Sequence, residues 1–300
     1  MRLAALILLL NLPCIAATIH VPADQPTIQA GIDAASSGDT VLVACGQYFE
    51  HGIQMRSGVY LTSASGNAEC VTINAQEQGG VFVCNDIDAS ASIVGFTITG
   101  GGSGVLCLDS DLTIMNCFIY GNSSPQGGGI YCNYSYPTII GCTIVGNSAQ
   151  RGGGIAFFDS YLPFYAIVSN CTISSNSSML GSGIYSAGAN PIVIESIIAF
   201  GTGSGAVECS FQSFPQFSCS NIYGTDGGDW TECIIDQLGL NGNISEDPIF
   251  CDIDSNDFSL QGDSPCAPEN NDCGVLMGAW PVGCSTNTSN LTWSAIKTLY

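Results

Sequence analysis

The chain has 300 residues, with 25 acidic residues against 4 Lys or Arg, and a formal net charge of −21 at pH 7. That balance excludes nucleic acid and anionic membrane surfaces as partners, because both are held through basic patches, and it excludes an anionic polysaccharide unless a metal intervenes. Hydrophobic residues make up 46% of the sequence, ample for a core.

Met1-Arg2, the apolar run Leu3 to Leu12 and then Cys14-Ile15-Ala16-Ala17 read as a secretory signal peptide over residues 1–17. The run is too short to span a bilayer, and no other segment reads as transmembrane. Asn11-Leu12-Pro13 is a poor match to a lipobox ahead of Cys14. Setting Cys14 aside leaves fifteen of the sixteen cysteines. In a secreted chain that number predicts disulfides, and an odd count leaves at least one thiol free.

Residues 18–45 read as strand, helix, strand. Thr18-Ile19-His20-Val21-Pro22 is the first strand. Asp24 to Ala35 is the helix, with Pro26 near its start and Ile28, Ile32 and Ala35 on one face. Ser37-Gly38-Asp39 stops it, and Thr40-Val41-Leu42-Val43 is the next strand. Such a unit covers the open end of a repeat array, where apolar side chains and unpaired strand edges would otherwise face water.

From residue 46 to 240 the chain repeats. Val59-Tyr60-Leu61 and Val71-Thr72-Ile73 are strands of the first turns. Gly104 to Cys117, Gly129 to Cys142 and Gly183 to Ser196 each span thirteen positions, whereas Gly154 to Cys171 spans seventeen, so one turn carries four extra residues. Ile73, Ile98, Ile119, Ile144, Ile173, Ile198 and Ile222 recur at steps of 21 to 29. Two places before them stand Val71, Phe96, Cys117, Cys142, Cys171, Ser196 and Ser220. Residues two apart on a strand share a face, so one face of one strand per turn is apolar. A period in the twenties with short β-rich runs predicts a solenoid, and a helical repeat would need a helical periodicity that is absent. Asn122, Asn147 and Asn176 stack in the same way and predict a side-chain amide ladder at a corner.

The Gly-Gly-Gly-Ile-Tyr-Cys run at 127–132 and the Cys-Thr-Ile-Val-Gly-Asn run at 142–147 resemble the right-handed parallel β-helix proteins of the pectin-lyase-like superfamily. The resemblance covers roughly Thr18 to Cys284. It implies an all-β fold: a single right-handed parallel β-helix of roughly eight turns, at about 24 residues a turn, with a short N-terminal capping helix. Residues 18–45 resemble the N-terminal cap of secreted β-helix proteins. Residues 241–284, Pro-, Asp- and Cys-rich, resemble their closing segment and read as the C-terminal cap. Ser285 to Leu291 is a linker. In the tail that follows, Trp293, Ile296 and Leu299 share a helical face. Residues 285–300 read as a linker and tail, either a sorting element or a frayed end.

Cys117, Cys142 and Cys171 fall in the inward column and read as small buried hydrophobes, not disulfide partners. Cys45 with Cys70, and Cys266 with Cys273, are the expected disulfides.

The fold hosts many activities, so function must come from the site. The superfamily's polygalacturonases need paired Asp, a Gly-His-Gly and an Arg-x-Lys. Its pectate lyases need a basic residue beside clustered carboxylates, and its methylesterases two Asp with an Arg. None of these is matched: the histidines are His20 and His51, and Arg56 and Arg151 are the solenoid's basic residues. Glu50-His51 reads as a polar loop.

Two features carry binding chemistry. Asp86, Asp88, Asp109 and Asp111 align on Cys84 and Cys107. Four carboxylates at that spacing would repel unless all pointed into water or shared a Ca²⁺. Asp252 to Asp257 copies the start of a calcium loop but lacks its Gly and terminal Glu. The second feature is the aromatic insertion at 157–165, which brings Tyr161, Phe164 and Tyr165 near Tyr131 and Tyr134 of the preceding turn and Tyr185 of the next. Such rings either fill a widened core or stack on the apolar face of a sugar. The resulting expectation is a secreted, non-catalytic carbohydrate-binding or cell-surface protein, its ligand neutral or bridged by Ca²⁺. The alternative is a polysaccharide lyase or glycoside hydrolase.

Overall fold

The computed structural model of the chain describes residues 16–158 and 165–284. Nearly all of the signal-peptide stretch, Tyr161 and Phe164 of the insertion, and the tail from 285 lie outside the described residues.

The described chain winds as a parallel β-solenoid. Each turn passes from a seven-stranded sheet to a nine-stranded sheet to an eight-stranded sheet and then into the next turn. The seven-stranded sheet runs from Ile53–Gln54 to Val207–Ser210, the nine-stranded from Thr18–Val21 to Gln216–Ser218, and the eight-stranded from Gly46–Tyr48 to Asn221–Tyr223. Three middle turns add a fourth strand, Ser123–Gln126, Ser148–Arg151 and Ser177–Leu180, which form a sheet of their own.

The isoleucine column exists as the spacing implies. Ile73, Ile98, Ile119, Ile144, Ile173, Ile198 and Ile222 pair in register across the eight-stranded sheet and are all buried. The inward column beside it holds Cys117, Cys142 and Cys171 as free, buried thiols. Each of their Sγ atoms hydrogen-bonds a carbonyl two residues earlier, at 3.3, 3.4 and 3.2 Å. Burial pushes the Cys117 and Cys142 thiols well up, so they stay protonated and behave as small apolar groups. Each turn enters this column from a left-handed residue: Gly95, Asn116, Gly141, Asn170, Glu195 and Cys219 all have positive φ. Gly and Asn tolerate that conformation best, which explains the recurring Asn-Cys and Gly-Cys pairs.

The amide ladder is also present. The backbone N–H of Asn122 donates to Oδ1 of Asn147, and that of Asn147 to Oδ1 of Asn176, at 3.0 and 2.9 Å. The side-chain amides repeat the links at 3.1 Å. All three residues are buried, so these bonds satisfy groups that no water reaches.

The N-terminal helix, Ile28–Ala34, is shorter than expected. Asp24 and Gln25 donate their N–H groups to His20 O in a tight turn, and Thr27 caps the helix by accepting from Ala30 N. Ile28 and Ile32 are fully buried over the end of the core. At the far end Trp230 packs its ring 5.5 Å from Phe217 and donates to Ile244 O, while Ile234 is fully buried. Residues 224–244 thus cover that end. The following segment folds back along the flank of the eight-stranded sheet: Gly278 N donates to Glu195 O, Ala279 N to Thr172 Oγ1 and Trp280 Nε1 to Thr143 Oγ1. Phe250, Phe258, Leu260 and Met277 bury the outward faces of Val145, Ile197 and Ala199.

Among the described residues four disulfides join Cys45–Cys70, Cys209–Cys233, Cys219–Cys273 and Cys251–Cys284. The expected Cys266–Cys273 bond is absent. Cys266 is a free, buried thiol that accepts from Asn221 Nδ2, and burial pushes it up to about 12. Cys273 instead lies against the last turn, where it bonds Cys219.

Candidate functional site

The outer face of the seven-stranded sheet is the floor of a groove. Leu106, Tyr131, Ala156, Tyr185 and Glu208 pair in register on successive turns, alternate with inward residues and so point outward. Phe158, two residues after Ala156, fills the gap left by that small side chain. Its ring lies 5.5 Å from Tyr131 and 5.4 Å from Tyr185. Three tilted rings therefore cover three turns, about 10 Å along the axis at the usual strand spacing.

One wall is the three-stranded sheet. Ser148 Oγ donates to Ser123 Oγ at 2.9 Å along it, and Gln126, Arg151 and Leu180 occupy one row. The Gly-Gly-Gly corner lets the wall turn sharply onto the floor. Gly127 has φ +57°, and a side chain on Gly128 would strike backbone of the next turn. A cleft of about 340 Å³ lies at this junction, between Ser103, Leu106, Ser124, Gln126 and Tyr131.

The opposite rim is a column of left-handed residues, Asp86, Asp109, Tyr134, Gly188 and Phe211. Asp suits that conformation, so the backbone alone accounts for the two acids. Tyr134 and Phe211 do not suit it, yet they hold it while 38% and 80% exposed. The backbone preference that accounts for the two acids does not account for these two exposed rings.

Of the residues singled out from the sequence, Tyr131 and Tyr185 come together on the floor through Phe158. Tyr134 stands on the rim, and Tyr165 is exposed where the chain re-enters the described residues. Tyr185 is 6% exposed and hydrogen-bonds Ser210 at 2.8 Å, so it supports the platform while Tyr131 and Phe158 face outward. Asp86 and Asp109 stack on the rim, and Asp88 and Asp111 lie over one another beyond it. Asp88 accepts from the N–H and hydroxyl of Ser90, which holds its carboxyl below the usual range. Asp111 accepts from Tyr136 N at 3.0 Å. Among the described residues no three His, Cys, Asp or Glu side chains gather closely enough to hold a metal ion. In the 252–257 segment Asp252 caps a short helical turn by accepting from Ser255. Glu50 accepts from the N–H groups of Ile28 and Gln29, a helix cap, not a partner for His51.

Three groove residues were not singled out. Phe158 lies within the aromatic stretch at 157–165 but is not among the rings expected to bind. Arg151 lies in a turn by sequence, but in space its guanidinium is 6.0 Å from the Tyr185 ring centroid. Glu208 is half-buried beside Tyr185. Burial raises its carboxyl above the usual range, the Glu232 charge adds to this, and backbone hydrogen bonds from Gly181 and Gly205 offset part of it. Glu208 extends the outward column one turn past Tyr185, whereas Arg151 belongs to the wall row with Gln126 and Leu180 and no column marks its approach to Tyr185.

Residues 48–222 match the family described as "Right handed beta helix region", more than half of the chain. The chain belongs to the right-handed β-helix family. Among solved structures this β-helix protein is similar to a pectate lyase, with a TM-score of 0.52 at 13% identity, over 69% of this chain and 63% of that one. The match thus spans under two-thirds of the lyase's length, and at that identity it shows the fold alone. No curated protein matches the sequence.

Proposed function

We propose that this β-helix protein is secreted and binds a polysaccharide chain along the aromatic groove. The observation that carries the reading is the row Tyr131–Phe158–Tyr185, aligned along the axis and walled by serines, Gln126 and Arg151. Sugar rings offer apolar faces to stack on such a row and hydroxyls for the wall. Four disulfides suit an oxidising compartment. One stacked ring contributes roughly 1 kcal/mol, so several must act together. Affinity electrophoresis against a panel of polysaccharides tests this. The parent should be retarded on at least one, and the Tyr131→Ala/Phe158→Ala double variant should lose that retardation while keeping its β-sheet spectrum. Unchanged retardation in the double variant sinks the reading.

Polysaccharide cleavage is the second reading. It is favoured by Arg151 and Glu208, a cation and a partly desolvated carboxyl on either side of Tyr185. Depolymerisation assays with and without Ca²⁺ on whichever polysaccharide is retained decide it.

A further inference from the structure

The charges around the groove are not those of a neutral-sugar site. Glu208 continues the floor beyond Tyr185, with Glu232 near enough to act on its charge. At the other end Asp86 and Asp109 stand exposed on the rim, in register on adjacent turns. Against these four acids stands one base, Arg151, and it lies against the Tyr185 ring. Glu208 has no ion-pair partner among the described residues. A half-buried carboxylate without a counter-charge, facing a second carboxylate, gains from any cation that reaches it. The floor suits a cation too: the electron-rich face of an aromatic ring attracts an ammonium group, as Tyr185 already attracts Arg151. At larger range the net charge of −21 draws polycations and repels polyanions.

Resting on the groove as a glycan site, we infer that its ligand is a polysaccharide with free amino groups, a polymer of hexosamine, whose ammonium groups pair with Glu208 at one end of the floor and with Asp86 and Asp109 on the rim. Its pyranose rings stack on Tyr131 and Phe158, and each amine projects from the ring edge toward the carboxylates. Full N-acetylation would remove the charge and leave the stacking. A uronic-acid polymer would meet the acids directly.

Calorimetric titration with three hexasaccharides separates these terms: a β-1,4-linked glucosamine oligomer, its fully N-acetylated form, and a cellulose oligomer, at low and high salt. The glucosamine oligomer should bind at least tenfold more tightly than either neutral oligomer at low salt. Salt should shrink the gap, as should Glu208→Gln, while Tyr131→Ala should weaken all three alike. If the three bind equally, or if Glu208→Gln leaves the preference intact, the amine inference is overturned while the groove stands, provided Tyr131→Ala still weakens binding. If none binds, or Tyr131→Ala changes nothing, the groove itself is wrong and the inference falls with it. Asp109→Asn gives an independent charge removal should Glu208→Gln fail to fold.

Discussion

Replacing Asn147 by Leu removes the middle rung of the amide ladder at nearly constant volume. Its Oδ1 accepts from the backbone N–H and side-chain amide of Asn122, and its Nδ2 donates to Ile119 O, Val145 O and Asn176 Oδ1. Of these partners the Asn122 amide retains Ile98 O and Tyr120 O, and Asn176 Oδ1 retains Asn147 N. The Asn122 backbone N–H retains nothing. One orphaned buried donor costs about 1–3 kcal/mol, and each bond lost from a group that keeps another partner roughly 0.5–1 kcal/mol. With four such bonds lost beside the orphaned donor, the total is about 3–7 kcal/mol, well above the gain from a slightly more apolar side chain. At about 2–4 °C per kcal/mol for a large domain, the midpoint should fall by roughly 6–28 °C. Thermal and urea unfolding followed by circular dichroism measure this. Hydrogen exchange should show the loss centred on 122–148, because each repeat couples only to its neighbours. A variant that melts within about 1 °C of the parent, with unchanged protection at Asn122, would show that the ladder is decoration and that the glycine corners alone fix the turn.

Ile144→Asp should prevent stable folding of the middle turns. The site is fully buried between Ile119 and Ile173, and an unpaired carboxylate there costs several kcal/mol; a parent-like melt would place the residue outside the core. Thiol labelling should find Cys84, Cys107, Cys117, Cys132, Cys142, Cys171 and Cys266 reactive only after denaturation, and mass mapping should find none of them bridged. Asp39 accepts from Ala17 N and Ser36 N, bonds that hold its carboxyl below the usual range, and the Ser36 bond stays when residues 1–17 are removed. The stability it contributes is present above the unfolded carboxyl pKa and is lost as pH falls through the lower folded value. The melting gap between parent and Asp39→Ala should therefore be wide at pH 7 and narrow toward pH 2; a constant gap would assign the loss to packing.

The fold was legible because a solenoid writes its core as columns. Seven isoleucines and three cysteines at matching offsets fix strand, face and register together, and Asn122, Asn147 and Asn176 mark the same corner on each turn. What the columns do not carry is what crosses them. Cys273 reaches Cys219 across 54 positions, and the segment bearing Trp280 runs over strands 137 positions earlier at Thr143. No periodicity encodes such contacts. The groove was half legible for the same reason. Tyr131 and Tyr185 share a column, but Phe158 enters it from a different offset because Ala156 leaves room. Arg151 and Glu208 show their relation to Tyr185 only once three turns are stacked. The acids at 86 and 109 were legible as an aligned pair, and the left-handed corner they share is the first cause of that alignment.

The placement of the disulfides follows from where a solenoid is weak. An interior turn is paired on both sides, whereas a terminal turn has one neighbour and frays first. The chain bridges its ends and leaves its middle as thiols. Cys45–Cys70 ties the first turns, Cys209–Cys233 and Cys219–Cys273 tie the last, and Cys251–Cys284 closes the flanking segment. The bonds span 24 to 54 positions, and constraining loops of that size contributes roughly 3–4 kcal/mol each in the chain-entropy account. Thiols suffice in the middle because stacking already orders them, and a cross-turn bond would displace the carbonyl contacts that Cys117, Cys142 and Cys171 make. Reduction under native conditions should therefore open the molecule from its ends. Hydrogen exchange should rise first in 45–70 and 209–284, while amides between 117 and 176 keep their protection until denaturant is added. Uniform loss of protection along the chain would mean that the bonds hold the solenoid as a whole and that its middle turns cannot stand alone.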